Sequence, residues 1–281
     1  MKNLRDQKKG FTKSVLQDPD VLERRRNRFL KDECHSRLSK NAEFGLISRG
    51  EDLRLQQNES ARRDLFTKIQ LNIKNNAKPD SILMDFRKLR ESLLSQPHTD
   101  FAKDVFLNSI QYSASIGHHQ SYVPSIMHLM EAEKKNQLMS STEKELVLSI
   151  LALHKAHYNG QFESVFELLL LNFDIVPNFG KLASCVPEAA FFATYALMTK
   201  DFYLWTRQYN FLSKNPCYKS VMDLRLKAFR QTEVDTLHRS YFMLNKRVLL
   251  NFVNASWEEL CKDHNIEWTL ENDTVTIRRR K

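Results

Sequence analysis

Two histidines in the middle of the chain have a spacing that can serve a metal ion. His154 and His157 lie three residues apart in an apolar pattern that predicts a helix. No acidic residue completes the HExxH arrangement of a zinc hydrolase, and His118-His119 has no ligand partner in the sequence. We therefore interpret both pairs as packed or exposed side chains, and we expect no metal and no cofactor.

The sequence also lacks the motifs that mark common enzyme classes. It contains no phosphate-binding GxxxxGK[ST] loop, no dinucleotide-binding GxGxxG turn and no GxSxG nucleophile turn. The phenylalanine and leucine stripes have helical spacing and are interpreted as core. We predict a protein that binds other molecules, with no catalytic residues.

Basic residues are concentrated in two places. Near the N-terminus, Arg24, Arg25, Arg26 and Arg28 are typical of a nuclear-localisation or nucleic-acid element, or of the exposed face of a helix. Near the C-terminus, the predicted nucleic-acid contacts are Lys246, Arg247, Lys262, Arg278, Arg279, Arg280 and Lys281. The formal net charge of +9, from 43 basic and 34 acidic residues, fits RNA, DNA or an acidic protein as a partner.

The composition favours a helical protein in a reducing compartment. The 281 residues are 42% hydrophobic but include only 6 glycines and 7 prolines, few for a fold with many tight turns. The cysteines, Cys34, Cys185, Cys217 and Cys261, form no CxxC pair. No apolar run is long enough to span a membrane, and the basic N-terminus lacks the apolar stretch of a signal peptide. We expect an intracellular, soluble protein.

The hydrophobic pattern divides the chain into three parts. Residues 1–60 are polar and are predicted to be a poorly ordered extension with one short helix near its middle. Residues 61–218 have apolar stripes at spacings of three and four, which predict an array of helical hairpins. Residues 219–281 are predicted to be a winged-helix module with a basic tail.

Local signals predict where the helices of the array begin and end. Gly117 and Gly160 each follow an apolar stripe, in the position where a left-handed glycine ends a helix. Thr142 and Glu145 match a capping box at the start of another helix. A long helix is expected over 218–244.

The last forty residues have a different pattern. A short helix is predicted over 249–253, and Ser256 with Glu259 matches a capping box that begins a second one. Alternation over 266–270 and 274–277 then predicts a two-stranded hairpin. Helix, helix and hairpin after a long helix is the order of elements in a winged helix.

Several segments of the sequence carry a family resemblance. They are Glu23-Arg-Arg-Arg-Asn-Arg-Phe, Phe86-Arg-Lys-Leu-Arg-Glu-Ser-Leu, Phe101-Ala-Lys-Asp-Val-Phe, Gly117-His-His-Gln-Ser-Tyr and Ala196-Leu-Met-Thr-Lys-Asp-Phe-Tyr-Leu-Trp. With the layout above, they resemble the PCI superfamily, and within it the GANP/Sac-three/Thp-three (LENG-eight-like) branch. The likeness covers residues 80–277. Where the branch has Gly-Asn at the later turn, this chain has Thr199-Lys200.

The resemblance implies an all-α, TPR-like array followed by a winged helix with a small β-hairpin. It implies a non-enzymatic scaffold subunit of a nuclear complex in transcription-coupled mRNA processing or export. The implied partners are a second PCI-domain protein, a small acidic Dss/Sem-type protein, and RNA or DNA bound without sequence specificity. PCI winged helices also bind neighbours through their hairpin, which assigns the protein interface to Trp257, Trp268, Val275 and Ile277. The expected location is the nucleus, alone or shared with the cytoplasm.

Two other functions fit the same sequence. The chain could be a subunit of a proteasome-lid, COP-nine signalosome or translation-initiation-factor complex, or a free-standing winged-helix protein that binds nucleic acid. The predicted helix over 257–264 carries three acidic residues and one lysine, a composition unfavourable for contact with DNA bases. Protein contact therefore ranks first, and nucleic-acid contact through the basic tail ranks second.

Overall fold

The computed structural model describes residues 44–49, 52–136, 138–177, 183–264 and 266–278. The chain divides into two units between Arg54 and Leu55. Several predictions fall on residues outside those described. They concern the short N-terminal helix, the cluster Arg24, Arg25, Arg26 and Arg28, the thiol Cys34, and the tail residues Arg279, Arg280 and Lys281.

Asp52 organises the described part of the first unit. Its carboxylate accepts hydrogen bonds from the backbone N–H groups of Gly45 at 3.2 Å and Arg54 at 3.0 Å. The Arg54 guanidinium donates to the same carboxylate at 2.6 Å and lies 4.9 Å from the centroid of the Phe44 ring. The hydrogen bond from the Arg54 side chain is the main cause that lowers the pKa of Asp52.

Helices make up most of the described chain, and a small antiparallel sheet lies at its C-terminal end. The helices are α1 Arg54–Gln57, α2 Glu59–Lys74, α3 Pro79–Leu93, α4 Asp100–Ser115, α5 His119–Asn136, α6 Ser141–His154, α7 Phe162–Asn172, α8 Val186–Thr199, α9 Phe202–Leu212, α10 Pro216–Ser240, α11 Lys246–Val253 and α12 Trp257–His264. A 3-10 turn spans Ile47–Arg49, and a π-helical turn, Lys155–Asn159, directly follows α6. The strands are β1 Met243–Asn245, β2 Thr269–Glu271 and β3 Thr274–Thr276. The prediction of a mostly helical chain ending in a small β element is confirmed.

Side-chain caps fix where several helices begin. Asn58 accepts a hydrogen bond from the backbone of Ala61 at 3.2 Å, and Thr99 accepts one from Ala102 at the same distance. The predicted capping box at Thr142 is wrong, because Thr142 already lies inside α6. The box is formed two residues earlier, by Ser140 with Glu143, since Ser140 has the extended backbone that a cap requires.

Left-handed residues end two helices where the sequence predicted them. Gly117 has φ +71° after α4, and Gly160 has φ +68° after the π-helical turn. Lys200 adopts the same region, with φ 57°, at the end of α8. A side chain at positive φ is sterically unfavourable, so glycine is the usual residue at such a position.

Consecutive helices of the array pack against one another, from α2 with α3 through α9 with α10. The contacts bury the apolar stripes, including Ile69 of α2, Leu89 of α3 and Ile110 of α4, each with at most 1% of its surface exposed. The long helix α10 also packs back against α4 and α6. Helices far apart in the sequence therefore share one core.

The C-terminal end of α10 differs from the prediction of a helix over 218–244. The helix stops at Ser240, and Met243–Asn245 forms β1 instead. β1 pairs with β3 in antiparallel fashion, so that Leu244 lies opposite Val275. Hydrogen bonding to a strand thirty residues further along outweighs the helical pattern at this point.

The sheet has the order β1-β3-β2, with β3 in the centre. Leu270 of β2 also lies opposite Val275, and the turn between β2 and β3 contains Asn272 and Asp273 at positive φ. The hairpin predicted around 271–273 is confirmed. In the described part of the chain, no helix is both long and apolar enough to cross a membrane.

The position of the capping box can be tested with two exposed residues. We expect Ser140→Ala to lower the free energy of unfolding by about 1 kcal/mol, since it removes the acceptor for the Glu143 backbone. Thr142→Ala, two residues away, is the matched control and is expected to change stability by less than half as much. Urea denaturation followed by circular dichroism measures both. A larger loss for Thr142→Ala than for Ser140→Ala would contradict the assignment.

Candidate functional site

The C-terminal module, residues 231–278, has its own hydrophobic core. α10 contributes Val234 and Leu237 to it, α11 contributes Leu249 and Val253, and α12 contributes Leu260. The remaining fully packed members are Trp268, Val275 and Ile277 of the hairpin region. Leu244 of β1 and Leu270 of β2 are partly buried against the same cluster, so every element of the module contacts a common core.

Polar contacts attach this module to the helical array. On α10, Arg230 donates hydrogen bonds to the backbone carbonyls of Val253 and Asn254, at the C-terminal end of α11. Thr206 of α9 donates to the carbonyl of Phe252 at 3.3 Å. The last carbonyls of a helix have no partner within the helix, so these contacts both satisfy α11 and fix its position.

The residues predicted to form a protein interface lie in the core instead. Trp268, Val275 and Ile277 have 8%, 0% and 5% of their surface exposed, and Trp257 is partly buried against the same cluster. The assignment of these side chains to a partner-binding surface is therefore corrected. Alternation along a strand shows that one face is buried, but it does not show which partner covers that face.

A different set of apolar side chains is exposed in the module. Tyr241, Phe242 and Met243 are exposed to 42%, 37% and 61%, and Val248 of α11 is exposed to 44%. We call Tyr241, Phe242, Met243 and Val248 the β1 strip, because Met243 begins this strand and two of the others precede it directly. β1 is an edge strand of the sheet. An edge strand with exposed apolar side chains is a suitable surface for protein contact.

The sequence prediction missed the β1 strip because it placed these residues at the end of a long helix. A signal was nevertheless present, since the run Tyr241-Phe242-Met243 is three consecutive apolar residues. One face of a helix cannot bury three consecutive residues, so a change of secondary structure is indicated there.

The described basic residues predicted to bind nucleic acid lie on different elements of the module. Lys246 and Arg247 lie in the first turn of α11, and exposed Lys262 lies on α12. Arg278 follows β3, where its guanidinium lies 4.4 Å from the centroid of Phe242 and donates to the carbonyl of Arg239 at 2.8 Å. Arg278 therefore has a packing role in addition to its charge.

A groove of about 590 Å³ brings together Trp268, Ile277 and Arg278, on the side of the module formed by α10 and the hairpin. The sequence prediction did not associate these residues with the end of α10, which lines the same groove with His238 and Arg239. Trp268 Nε1 donates a long hydrogen bond, 3.4 Å, to His238 Nδ1. Asp235 and Glu267 also line the groove, so its charge is mixed.

The exposed face of α12 is acidic. Glu258, Glu259 and Asp263 are all exposed, and Glu259 also accepts a hydrogen bond from the Ser256 backbone at 2.9 Å. This hydrogen bond and that from Glu259 N to Ser256 Oγ at 3.1 Å form the predicted capping box, which is confirmed. Phosphate groups are repelled by carboxylates, so this helix face is unsuitable for contact with a duplex.

The central histidines are packed and hydrogen-bonded to different partners. His154 Nδ1 lies 2.9 Å from the Tyr122 hydroxyl, whereas His157 Nε2 accepts from Trp205 Nε1 at 3.2 Å. His157 Nδ1 donates to the Leu153 carbonyl at 2.9 Å. Burial is the main cause that lowers the pKa of both rings to about 4. Among the described residues, no three side chains of His, Cys, Asp or Glu converge as a metal site.

Glu233, on α10, is a buried carboxylic acid with 4% of its surface exposed. Its Oε1 atom has no hydrogen-bond partner among the described residues. Burial raises the pKa of Glu233 to about 8, and the charge of Arg230 opposes this only in part. The neutral acid is therefore the form that suits this position.

The stability of the protein is expected to depend on the protonation of Glu233. Because its pKa is higher in the folded protein, the stabilisation is complete below the ordinary pKa of glutamate and is lost as pH rises towards 8. We expect the free energy of unfolding of Glu233→Gln, measured relative to the wild type, to rise by about 1 kcal/mol or more from pH 5 to pH 9. Exposed Glu267→Gln is the control. Urea denaturation across this range measures the effect, and parallel pH profiles for the wild type and Glu233→Gln would exclude it.

No protein-family model matches the chain, and no curated protein matches it. The likeness to PCI proteins therefore depends on the sequence segments quoted above and on the order of the elements.

Proposed function

We propose that this chain is a non-enzymatic, PCI-type scaffold subunit of a nuclear complex in transcription-coupled mRNA processing or export. The observation that carries the proposal is the helix α10, which packs in the helical array and also supplies Val234 and Leu237 to the C-terminal core. An array continued by one helix into a terminal module is the layout that the resemblance implies.

The order of elements in the module supports its interpretation as a winged helix. α10 is followed by β1, then by α11 and α12, then by the hairpin of β2 and β3. A winged helix has three helices and a hairpin, and the strand after its first helix pairs with the last strand of the hairpin. Here β1 pairs with β3, which agrees with that arrangement.

Exposure and charge favour contact with a protein over contact with nucleic acid. The β1 strip presents apolar side chains on an edge strand. The helix that usually enters the major groove, the second of a helix-turn-helix, is α12, and its exposed face carries Glu258, Glu259 and Asp263. We infer that the module binds a second PCI-domain protein through β1. A small acidic Dss/Sem-type protein is the further partner that the resemblance implies.

The proposal is tested by purifying the tagged full chain from cells of its source organism and identifying stably bound chains by mass spectrometry. We expect a second PCI-domain protein and a small acidic protein. The double variant Tyr241→Ser, Met243→Ser is expected to reduce recovery of the PCI partner at least tenfold, because it removes apolar area from the β1 strip.

A matched control comes from exposed apolar residues outside the module. Leu171 and Tyr203 are exposed to 76% and 67%, and their double replacement by serine is expected to leave recovery unchanged. The alternative complexes would be supported instead if the purified material contained subunits of the proteasome, the signalosome or an initiation factor. Recovery of no PCI-domain protein would overturn the proposal.

Contact with RNA or DNA is the second part of the proposal. It relies on exposed Arg247 and Lys262, together with the predicted contacts of the tail. We expect Arg247→Ala with Lys262→Ala to weaken binding of a random single-stranded RNA. The slope of the logarithm of the binding constant against the logarithm of salt concentration is expected to fall as if about one to two fewer phosphates were neutralised. Lys135→Ala with Arg63→Ala, two exposed cations of the array, is the control. Gel-shift titrations at several salt concentrations measure both, and an equal loss in the control would argue against a site in the module.

A further inference from the structure

A second cavity, of about 330 Å³, lies between α3, α4 and the first turns of α5. Its lining combines the arginines Arg87 and Arg90 of α3 with the apolar side chains Leu94, Phe106 and Pro124. Its volume is at the lower end of the range for small-molecule sites. None of the residues discussed for the C-terminal module contributes to it.

Arg90 is the central cation of this cavity. One of its terminal nitrogens, Nη1, donates hydrogen bonds to the Ser121 carbonyl at 2.5 Å and to the Ser125 hydroxyl. These bonds orient the guanidinium towards the start of α5. Its Nε atom is buried and has no hydrogen-bond partner among the described residues, and no described carboxylate forms an ion pair with it. Nε and the second terminal nitrogen form the fork that binds a carboxylate or a phosphate with two parallel hydrogen bonds.

The described side chains that line the cavity include two arginines, Arg87 and Arg90, and one carboxylate, Glu91. Arg87 Nε is paired with Glu91 Oε1 at 2.9 Å, so these two charges compensate each other. Burial lowers the pKa of Arg90 to about 10; the charge of Arg87 acts in the same direction, and the charge of Glu91 opposes both. Partial burial removes part of the solvation of the Arg90 cation, and an anion in contact with it would restore the loss.

The surroundings of Arg90 suit an anion attached to an apolar group. The cavity lies at the N-terminal end of α5, where the helix dipole is positive, and Gln120 and Ser121 of the first turn line it. His118 Nδ1 is a second buried nitrogen without a partner among the described residues. Phe106 and His128 also line the cavity, and their rings stack with centroids 4.2 Å apart. Burial lowers the pKa of His128, so this wall is uncharged at neutral pH.

We propose that this cavity binds a small molecule that carries an oxyanion, either a phosphate monoester or a carboxylate, on an apolar body. Arg90 binds the oxyanion through its fork, and the positive end of α5 adds to the attraction. His118 supplies a further hydrogen bond. The apolar body packs against Phe106 and Pro124. Such a ligand would connect α3, α4 and α5, and so stabilise this part of the array.

The proposal is tested by isothermal titration calorimetry of the full chain with three probes: phenyl phosphate, benzoate and inorganic phosphate. We expect phenyl phosphate to bind at least tenfold more tightly than inorganic phosphate, because only the former has a body for the apolar wall. Comparison of phenyl phosphate with benzoate distinguishes a phosphate site from a carboxylate site.

Two variants separate binding from folding. Arg90→Lys keeps the charge but loses the fork, and we expect it to weaken binding of phenyl phosphate at least tenfold. Gln120→Trp changes an exposed residue at the edge of the cavity and is expected to block entry while the contacts of Arg90 remain. Arg63→Gln, an exposed arginine on α2, is the control and is expected to bind as the wild type does.

Three outcomes would overturn the proposal. In the first, none of the probes binds the wild type at millimolar concentration, so the cavity holds water only. In the second, Gln120→Trp binds phenyl phosphate as tightly as the wild type does, so any binding is elsewhere. In the third, inorganic phosphate and phenyl phosphate bind with equal affinity, so the apolar wall takes no part in binding. Thermal unfolding of each variant checks that the fold is retained.

Discussion

The arrangement of the second unit depends on one continuous helix that is buried at both ends. α10 is 25 residues long, which corresponds to about 38 Å. Its N-terminal half places Val221 and Met222 among α4 and α6, with no surface exposed, and its C-terminal half supplies Val234 and Leu237 to the module. Because the hydrogen bonds of a helix hold its backbone torsions, the orientation of the module follows from the packing of the array. The β1 strip therefore has a fixed position relative to α4 and α6.

Buried polar groups fix the contacts between these helices more specifically than apolar packing does. The Tyr122 hydroxyl meets His154 across α5 and α6, and the Trp205 indole of α9 meets His157 in the π-helical turn. The π-helical turn separates two rings that a regular helix would place on one face, so each reaches a different neighbour. Each contact has a donor and an acceptor at defined positions, and a shift of one helical turn would leave both buried without a partner. The two histidines thus fix how their helices pack, which agrees with their interpretation from the sequence as packed side chains.

Structural features that depend on neighbouring residues could be predicted from the sequence, whereas features that depend on distant residues could not. The glycine turns and the Ser256–Glu259 box are local, and the structure has them where the sequence indicated. Ser140 was missed in favour of Thr142 because both lie three residues before a glutamate, and only the backbone conformation distinguishes them. β1 was missed because it exists only through its pairing with β3. The burial of Trp268 and the position of Arg90 in the cavity between α3, α4 and α5 likewise depend on which helices meet. No local sequence pattern determines this.

The pairing of β1 with β3 also has a consequence for the order of folding. Leu244 and Val275 become neighbours only after a loop of about 30 residues has closed, whereas each helical hairpin closes a short loop. Loop closure over a longer distance is slower, so the sheet is expected to complete after α11 and α12 have collapsed onto α10. During that interval β1 has neither edge paired, and its apolar side chains remain accessible to other unfolded chains. The same residues that suit a protein partner in the folded state are therefore the ones that most need protection while the chain folds.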